Sequence, residues 1–311
     1  MQKNMCLLII LLLSYTPFLQ ENATRFEQQQ TDLRTLIVTV TDKNYVPIDK
    51  LDASSFNVTA KKISQEVVEV SQTDSPLTVA IVVDLSRSMS TNEGRPSKRT
   101  LEALNAVKSF VDLSNPANEY FIVGFHDKAR VLSPFRNAAA TVNDLNAISS
   151  LTFKVGSSLY DAIHLAVNTL SHSEHEKRAI LLVSDGLDTT SQVTFKQTAH
   201  LLEKTDILVY PVSITSDATD GSVMAKDGRD ILKDFASISG GRYVQPKENN
   251  LALSDLLSQV AAELRSQYLV RFRPAASLKN ECDEFKVKVT VAEGGKHKTL
   301  NSRVRKKMCD S

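Results

Sequence analysis

The chain reads as an α/β protein: a doubly wound, mostly parallel sheet with helices on both faces, plus a small all-β sandwich built from its N- and C-terminal segments. Three observations predict this. Leu77 to Val83 is an apolar run broken only by Thr78, as expected of a strand buried on both faces. From there to about Ser266, short apolar runs alternate with segments of helical spacing, the pattern of right-handed βαβ crossovers. Before and after that stretch the chain changes to short β-branched segments. Neither is large enough to hold a core of its own, so the two are expected to fold together.

The elements follow in order. Leu33 to Val40 is β-branched and reads as a strand, and Asp42-Lys43-Asn44 as a turn. Phe56 to Ala60 and Glu66 to Ser71 alternate like half-buried strands, and Ser75-Pro76 marks a boundary. After the buried strand, Ser97 precedes a helix whose apolar face is Leu101, Leu104, Ala106, Val107, Phe110 and Val111. Tyr120 to Phe125 is a buried strand with a short one, Val131-Leu132, beside it. Val142 to Leu151 is a weaker helix, and Leu159, Ile163, Val167 and Leu170 line a stronger one. Ala179 to Val183 is a strand ending in Ser184-Asp185-Gly186; Phe195 to Leu202 is helical; Ile207 to Ile214 is a strand. Ile231 to Ile238 is a helix stopped by Gly240-Gly241. Leu253, Leu256, Leu257, Val260 and Leu264 form the last amphipathic helix, and Tyr268 to Phe272, Phe285 to Val291 and Thr299 to Val304 return to strand.

Domain organisation follows from the same pass: a leader over 1–23, an N-terminal β segment over 24–75, the α/β domain over 76–268, and a C-terminal β segment over 269–311. The leader carries one Lys, then Cys6 to Leu19, an apolar run ended by Gln20, Glu21 and Asn22. That run falls short of the ~20 residues a bilayer span needs, so it reads as a secretory signal, with an uncleaved anchor as the rival. Export places the protein outside the cell or in the envelope. Cys282 and Cys309 follow the leader. Paired, they would close a C-terminal loop worth about 3 kcal/mol; spacing alone leaves two free thiols equally open. Lys and Arg number 37 against 36 Asp and Glu. That balance gives no global attraction to nucleic acid or to an anionic membrane.

Chemistry concentrates at strand ends. Asp84-Leu85-Ser86-Arg87-Ser88 puts a carboxylate and two hydroxyls on one tight turn after a buried strand. Asp185 follows a second strand, and Ser157 lies in a loop that runs into a helix start. Open α/β sheets bind ligands beyond the carboxyl ends of their strands, at a topological switch point. The five oxygen-bearing side chains Asp84, Ser86, Ser88, Ser157 and Asp185 suit a hard divalent cation: Mg2+, or Mn2+ or Ca2+. A single such loop is explained equally by helix capping; three that converge favour a metal. His172 and His175 sit in a solvated loop without a Cys or His partner, which argues against zinc. The four aspartates Asp217, Asp220, Asp227 and Asp230 lack EF-hand spacing and read as a solvated acidic loop.

Asp84-x-Ser86-x-Ser88, Gly156-Ser157-Ser158-Leu159-Tyr160-Asp161-Ala162 and Ser184-Asp185-Gly186 resemble, in order, the three parts of the metal-ion-dependent adhesion site of von Willebrand factor type A domains. The layout of the whole chain, with its Ser266 to Leu269 stretch before a β tail, resembles bacterial exported proteins carrying such a domain. The resemblance implies a non-enzymatic adhesion or protein-binding module, whose divalent ion bridges to an exposed Asp or Glu of a protein partner. Nucleic acid and small-molecule substrates are not expected, and membrane contact only through an uncleaved leader. Ser157 stands where the family usually has threonine, and Arg87 where it more often has glycine; neither change removes an oxygen ligand. Two other classes stay in view. A metal-dependent hydrolase or phosphatase would use the same carboxylates, but the sequence has no Walker loop, no Gly-x-Ser-x-Gly elbow and no His-Glu-x-x-His. A structural envelope module would use the metal only to stiffen the loops.

Overall fold

The structure is a computed structural model that describes residues 33–214, 223–246, 250–275, 283–293, 296–305 and 307–308. The expected leader, Asp217, Asp220, Cys282 and Cys309 lie outside the described residues.

One sheet has five strands in the order β6-β5-β4-β7-β8: β4 Leu77–Asp84, β5 Glu119–Phe125, β6 Ala129–Arg136, β7 Lys177–Ser184 and β8 Leu208–Ser213. β4 pairs in parallel with β5 and β7, and β7 with β8; β6 alone runs antiparallel, on the edge beside β5. Every residue of β4 is buried, so the apolar run has the cause the sequence gives it. Val79, Ile81 and Val83 pack on one face against α1 (Lys98–Leu113), α2 (Ala138–Ile148) and α6 (Leu253–Arg265). Ala80 and Val82 pack on the other against α3 (Leu159–Leu170), α4 (Phe195–Glu203) and α5 (Val223–Ser239). The doubly wound, mostly parallel sheet is therefore present. The chain leaves β4 to form β5 on one side and later returns to form β7 on the other, so the switch point lies at the carboxyl end of β4.

Element limits shift where capping, rather than periodicity, sets them. Asn137 caps α2 by accepting from the Ala140 amide, so this helix starts four residues before its apolar pattern does. α5 begins at Val223, about two turns before the apolar pattern starts at Ile231. In α1, Leu101 is 38% exposed, and Thr100 turns inward in its place, its hydroxyl donating to the Met89 carbonyl at 2.6 Å.

The terminal segments share one sheet, as expected, but it is not a sandwich. β1 (Arg34–Thr41), β2 (Phe56–Ala60), β3 (Ile63–Thr73), β9 (Gln267–Arg273), β10 (Asp283–Glu293) and β11 (Lys296–Arg303) follow the order β11-β1-β9-β3-β2-β10, and β10 pairs again with β11. The ring closes into a barrel, with the two-residue β12 (Lys307–Met308) pairing to the start of β10. The physical reason is economy of core and edges. Leu36, Val38, Val58, Val270, Phe272 and Val289 all point into one small core, and closure pairs strand edges that two facing sheets would leave open. A bulge between Val67 and Glu69 adds local twist to β3. Among the described residues, no helix is long and apolar enough to cross a membrane.

Candidate metal centre

Asp84 ends β4 with its carboxylate fully buried. The turn that follows is held by its own oxygens: the Ser86 amide donates to Asp84 Oδ1 at 2.9 Å. A 3-10 turn over Arg87–Met89 then brings Ser88 Oγ within 2.9 Å of Ser86 Oγ. Ser86 is buried, whereas Arg87 and Ser88 are exposed. The sheet supplies the third loop. Ser184, last in β7, donates from Oγ to Asp84 Oδ2 at 2.8 Å. Asp185 comes next, largely buried, with its Oδ1 accepting from the Leu187 amide at 3.0 Å.

The Ser157 loop is joined to both neighbours. Lys154 forms a parallel bridge with Ser86, and the Lys154 amide donates to the Leu85 carbonyl at 3.0 Å. Ser157 Oγ donates to the Leu187 carbonyl at 2.7 Å, and its amide donates to Thr189 Oγ1 at 3.0 Å. Thus Asp84, Ser86 and Ser88 stand together directly, and Asp185 is close enough for its charge to act on Asp84. Ser157 is one link further off, turned toward the backbone of the Asp185 loop rather than toward another of the five side chains. All of this sits at the switch point of the sheet.

Burial dominates the electrostatics. Asp84 is pushed up to about 7, first by loss of solvent and then by repulsion from Asp185; its hydrogen bonds from Ser86 and Ser184 act the other way. Two carboxylates at a buried strand edge call for a compensating positive charge. Around them are serine hydroxyls and backbone carbonyls, the donor chemistry of a hard cation. The 2.9 Å between the Ser86 and Ser88 hydroxyls also matches the roughly 3 Å edge of an octahedron built from bonds of about 2.1 Å. The residues present fit a Mg2+-type ion.

Residues 79–187 match the family profile of the von Willebrand factor type A domain. The chain carries a type A domain of that family. The matched span runs from β4 to just past Asp185 and so contains all three loops. A von Willebrand factor type A protein of Catenulispora acidiphila shares the fold at TM-score 0.50 and 12% identity, over 90% of this chain and 74% of that one. That coverage takes in barrel strands as well as the type A domain. Proximal thread matrix protein 1 of the mussel byssus shares the fold at TM-score 0.51 and 16% identity, over 66% of this chain and 49% of that one. An uncharacterized protein of Borreliella burgdorferi is 26% identical over 139 residues, 44% of this chain and 40% of the relative. The match thus spans less than half of that relative's length.

Other residues hold these loops in place. Ser184 was legible only as the flank of Asp185, yet it holds the Asp84 carboxylate. Asp188 Oδ1 accepts from the Tyr160 amide at 3.3 Å and the Ser191 hydroxyl at 2.5 Å, fixing the entry of α3. Asp161 accepts from the Gln192 and Val193 amides. Gly228 on α5 lies against the Asp185 loop so closely that a Cβ there would meet the Asp185 carbonyl oxygen at 2.4 Å. His126 accepts at Nδ1 from the Asp127 amide at 2.7 Å, and its carbonyl accepts from the Thr190 hydroxyl at 3.4 Å; His172, in a loop after α3, has Nδ1 2.9 Å from the Asn168 carbonyl.

Proposed function

We propose that this is an exported, non-enzymatic protein-binding module whose type A domain captures a partner through a divalent cation. Asp84, Ser86, Ser88, Ser157 and Asp185 are the residues assigned to hold Mg2+, or Mn2+ or Ca2+, directly or through water. The observation that carries the assignment is the paired Ser86 and Ser88 hydroxyls, 2.9 Å apart, beside two mutually repelling carboxylates. When bound, the ion supplies the positive charge that lets both carboxylates stay ionised, with an open position for an outside oxygen. The chain's own residues do the rest. Asp84 is oriented by Ser86 and Ser184. Ser157 ties the Asp185 loop to the start of α3. Exposed Ser88 and Arg87 leave the rim open to a partner's Asp or Glu. Export rests on the apolar run from Cys6 to Leu19.

The reading is tested by capture of proteins from the source cell envelope on the immobilised protein. Capture is expected in Mg2+ and lost both on adding EDTA and in the Asp185→Ala variant. A partner retained equally under all three conditions would sink the proposal. A metal-induced rise in melting temperature with unchanged capture would point to a merely stiffening ion.

A further inference from the structure

Where the barrel meets the type A domain lies a buried ionic cluster. Arg242, which follows the Gly240-Gly241 end of α5, donates from Nη1 to Glu263 Oε1 at 2.9 Å. Arg303 of β11 donates from Nη2 to Glu263 Oε2 at 2.5 Å. The Arg242 and Glu263 side chains are 3% and 0% exposed, and that of Arg303 is 19% exposed. The Arg242 guanidinium also lies 4.0 Å from the centre of the Tyr45 ring, which comes from the barrel side. One carboxylate therefore serves two guanidiniums, and the cluster holds an excess positive charge. The Nε groups of Arg242 and Arg303 have no acceptor among the described residues.

A cavity of about 300 Å³ opens beside this cluster, lined by Arg242, Arg303, Tyr45, Tyr243, Gln245 and Lys233 among others. Lys233 pairs with Asp230 at 3.3 Å on the outer side, and both are half exposed. We propose that this cavity binds a small oxyanion, a phosphate or carboxylate group, which bridges the barrel and the type A domain. Buried charge without a counter-charge is costly. The Arg242 Nη groups are engaged by Glu263, Gln259 and the Leu256 carbonyl, so Arg303 and Lys233 are the cations left to meet the ligand, and a planar guanidinium presents N–H donors in the geometry that oxyanions accept. Pockets between structural units are also common ligand sites. The site lies on the barrel side of α5 and does not depend on the metal reading.

The test compares inorganic phosphate and acetate with chloride at matched ionic strength, reading melting temperature and, by calorimetry, binding. Saturable stabilisation beyond chloride is expected with phosphate, acetate or both, and the stronger probe identifies the group recognised. Lys233→Ala should weaken the affinity about fivefold, as loss of a half-exposed charge does. Arg303→Lys, which keeps a charge but loses the fork, should weaken it roughly tenfold. Lys226→Ala, on an exposed position of the same helix, should leave it unchanged. No stabilisation beyond chloride, or equal stabilisation of wild type, Lys233→Ala and Arg303→Lys, would overturn the assignment.

Discussion

Lys177 carries a charge in a place that resists it. It opens β7 almost fully buried, with Nζ donating to the Leu264 carbonyl at 2.9 Å. Loss of solvent lowers its ammonium from 10.5 to about 8, with the Asp74 charge acting the other way. A lysine whose folded value is depressed binds fewer protons than the unfolded chain between the two values. Its cost is therefore fully present below pH 8 and is relieved as pH rises toward 10.5. Denaturation midpoints should accordingly show a stabilising contribution from pH 8 to about 10. Replacing Lys177 by Met should flatten that slope; an unchanged slope would mean that other groups produce it. At this scale the sequence is legible wherever chemistry and spacing coincide. Asp84, Ser86 and Ser88 stand at alternate positions of a post-strand turn, and the turn does bring the carboxylate and both hydroxyls together. Ser184 and Lys177 are not legible in this way, because their roles depend on which buried neighbour the fold sets opposite them.

The contact of α5 with the Asp185 loop shows how an element can shape the candidate site while supplying none of its five assigned side chains. Gly186 has φ of +85°, a left-handed conformation that suits glycine, and a Cβ there would meet the Gly228 carbonyl oxygen at 2.1 Å. Gly228 faces it from within the helix. On an exposed helix face, Gly→Ala stabilises by about 1 kcal/mol. At Gly228 the sign should reverse, because the new methyl would press on the Asp185 carbonyl backbone. Gly228→Ala is expected to lower the denaturation midpoint and to weaken divalent-ion binding together. A stabilised variant with normal binding would show that the helix and loop are not coupled. The sequence shows the core of this helix through Ile231 to Ile238 but not its first two turns, which hold Gly228 and charged Lys226 and Asp227. No apolar period marks that stretch; its position against the loop comes from close backbone packing. In the same way β6 runs from Ala129 to Arg136, with exposed Val131 and Leu132. As an edge strand it lacks the two-sided burial that makes β4 legible.

Among the described residues, strands before and after the type A domain form a barrel closed around its own core and fastened to that domain. Arg265 bonds Asp74 at 2.8 Å and Lys307 bonds Glu203 at 2.8 Å, and the Arg242-Glu263-Arg303 cluster adds a buried link. Glu263→Gln would leave two guanidiniums without their buried carboxylate, and should cost about 3–5 kcal/mol in equilibrium unfolding. A loss below about 1 kcal/mol, the scale of an exposed pair, would show that the cluster is effectively solvated. That the two terminal segments fold together was readable from their small size. Closure into a ring was not, because alternating strands look alike in a sandwich and a barrel, and the β10–β11 pairing joins residues whose spacing fits either. The candidate site is likewise a property of the assembled molecule: strand ends about 100 residues apart in sequence are joined by the Ser184–Asp84 hydrogen bond. The central claim is that these loops share one divalent ion, and the direct measurement is calorimetric titration of Mg2+ or Mn2+ into wild type and Asp185→Ala. Saturable binding at a single site in wild type, abolished in the variant, is the predicted result; equal affinity in both proteins, or no binding in wild type, would contradict it.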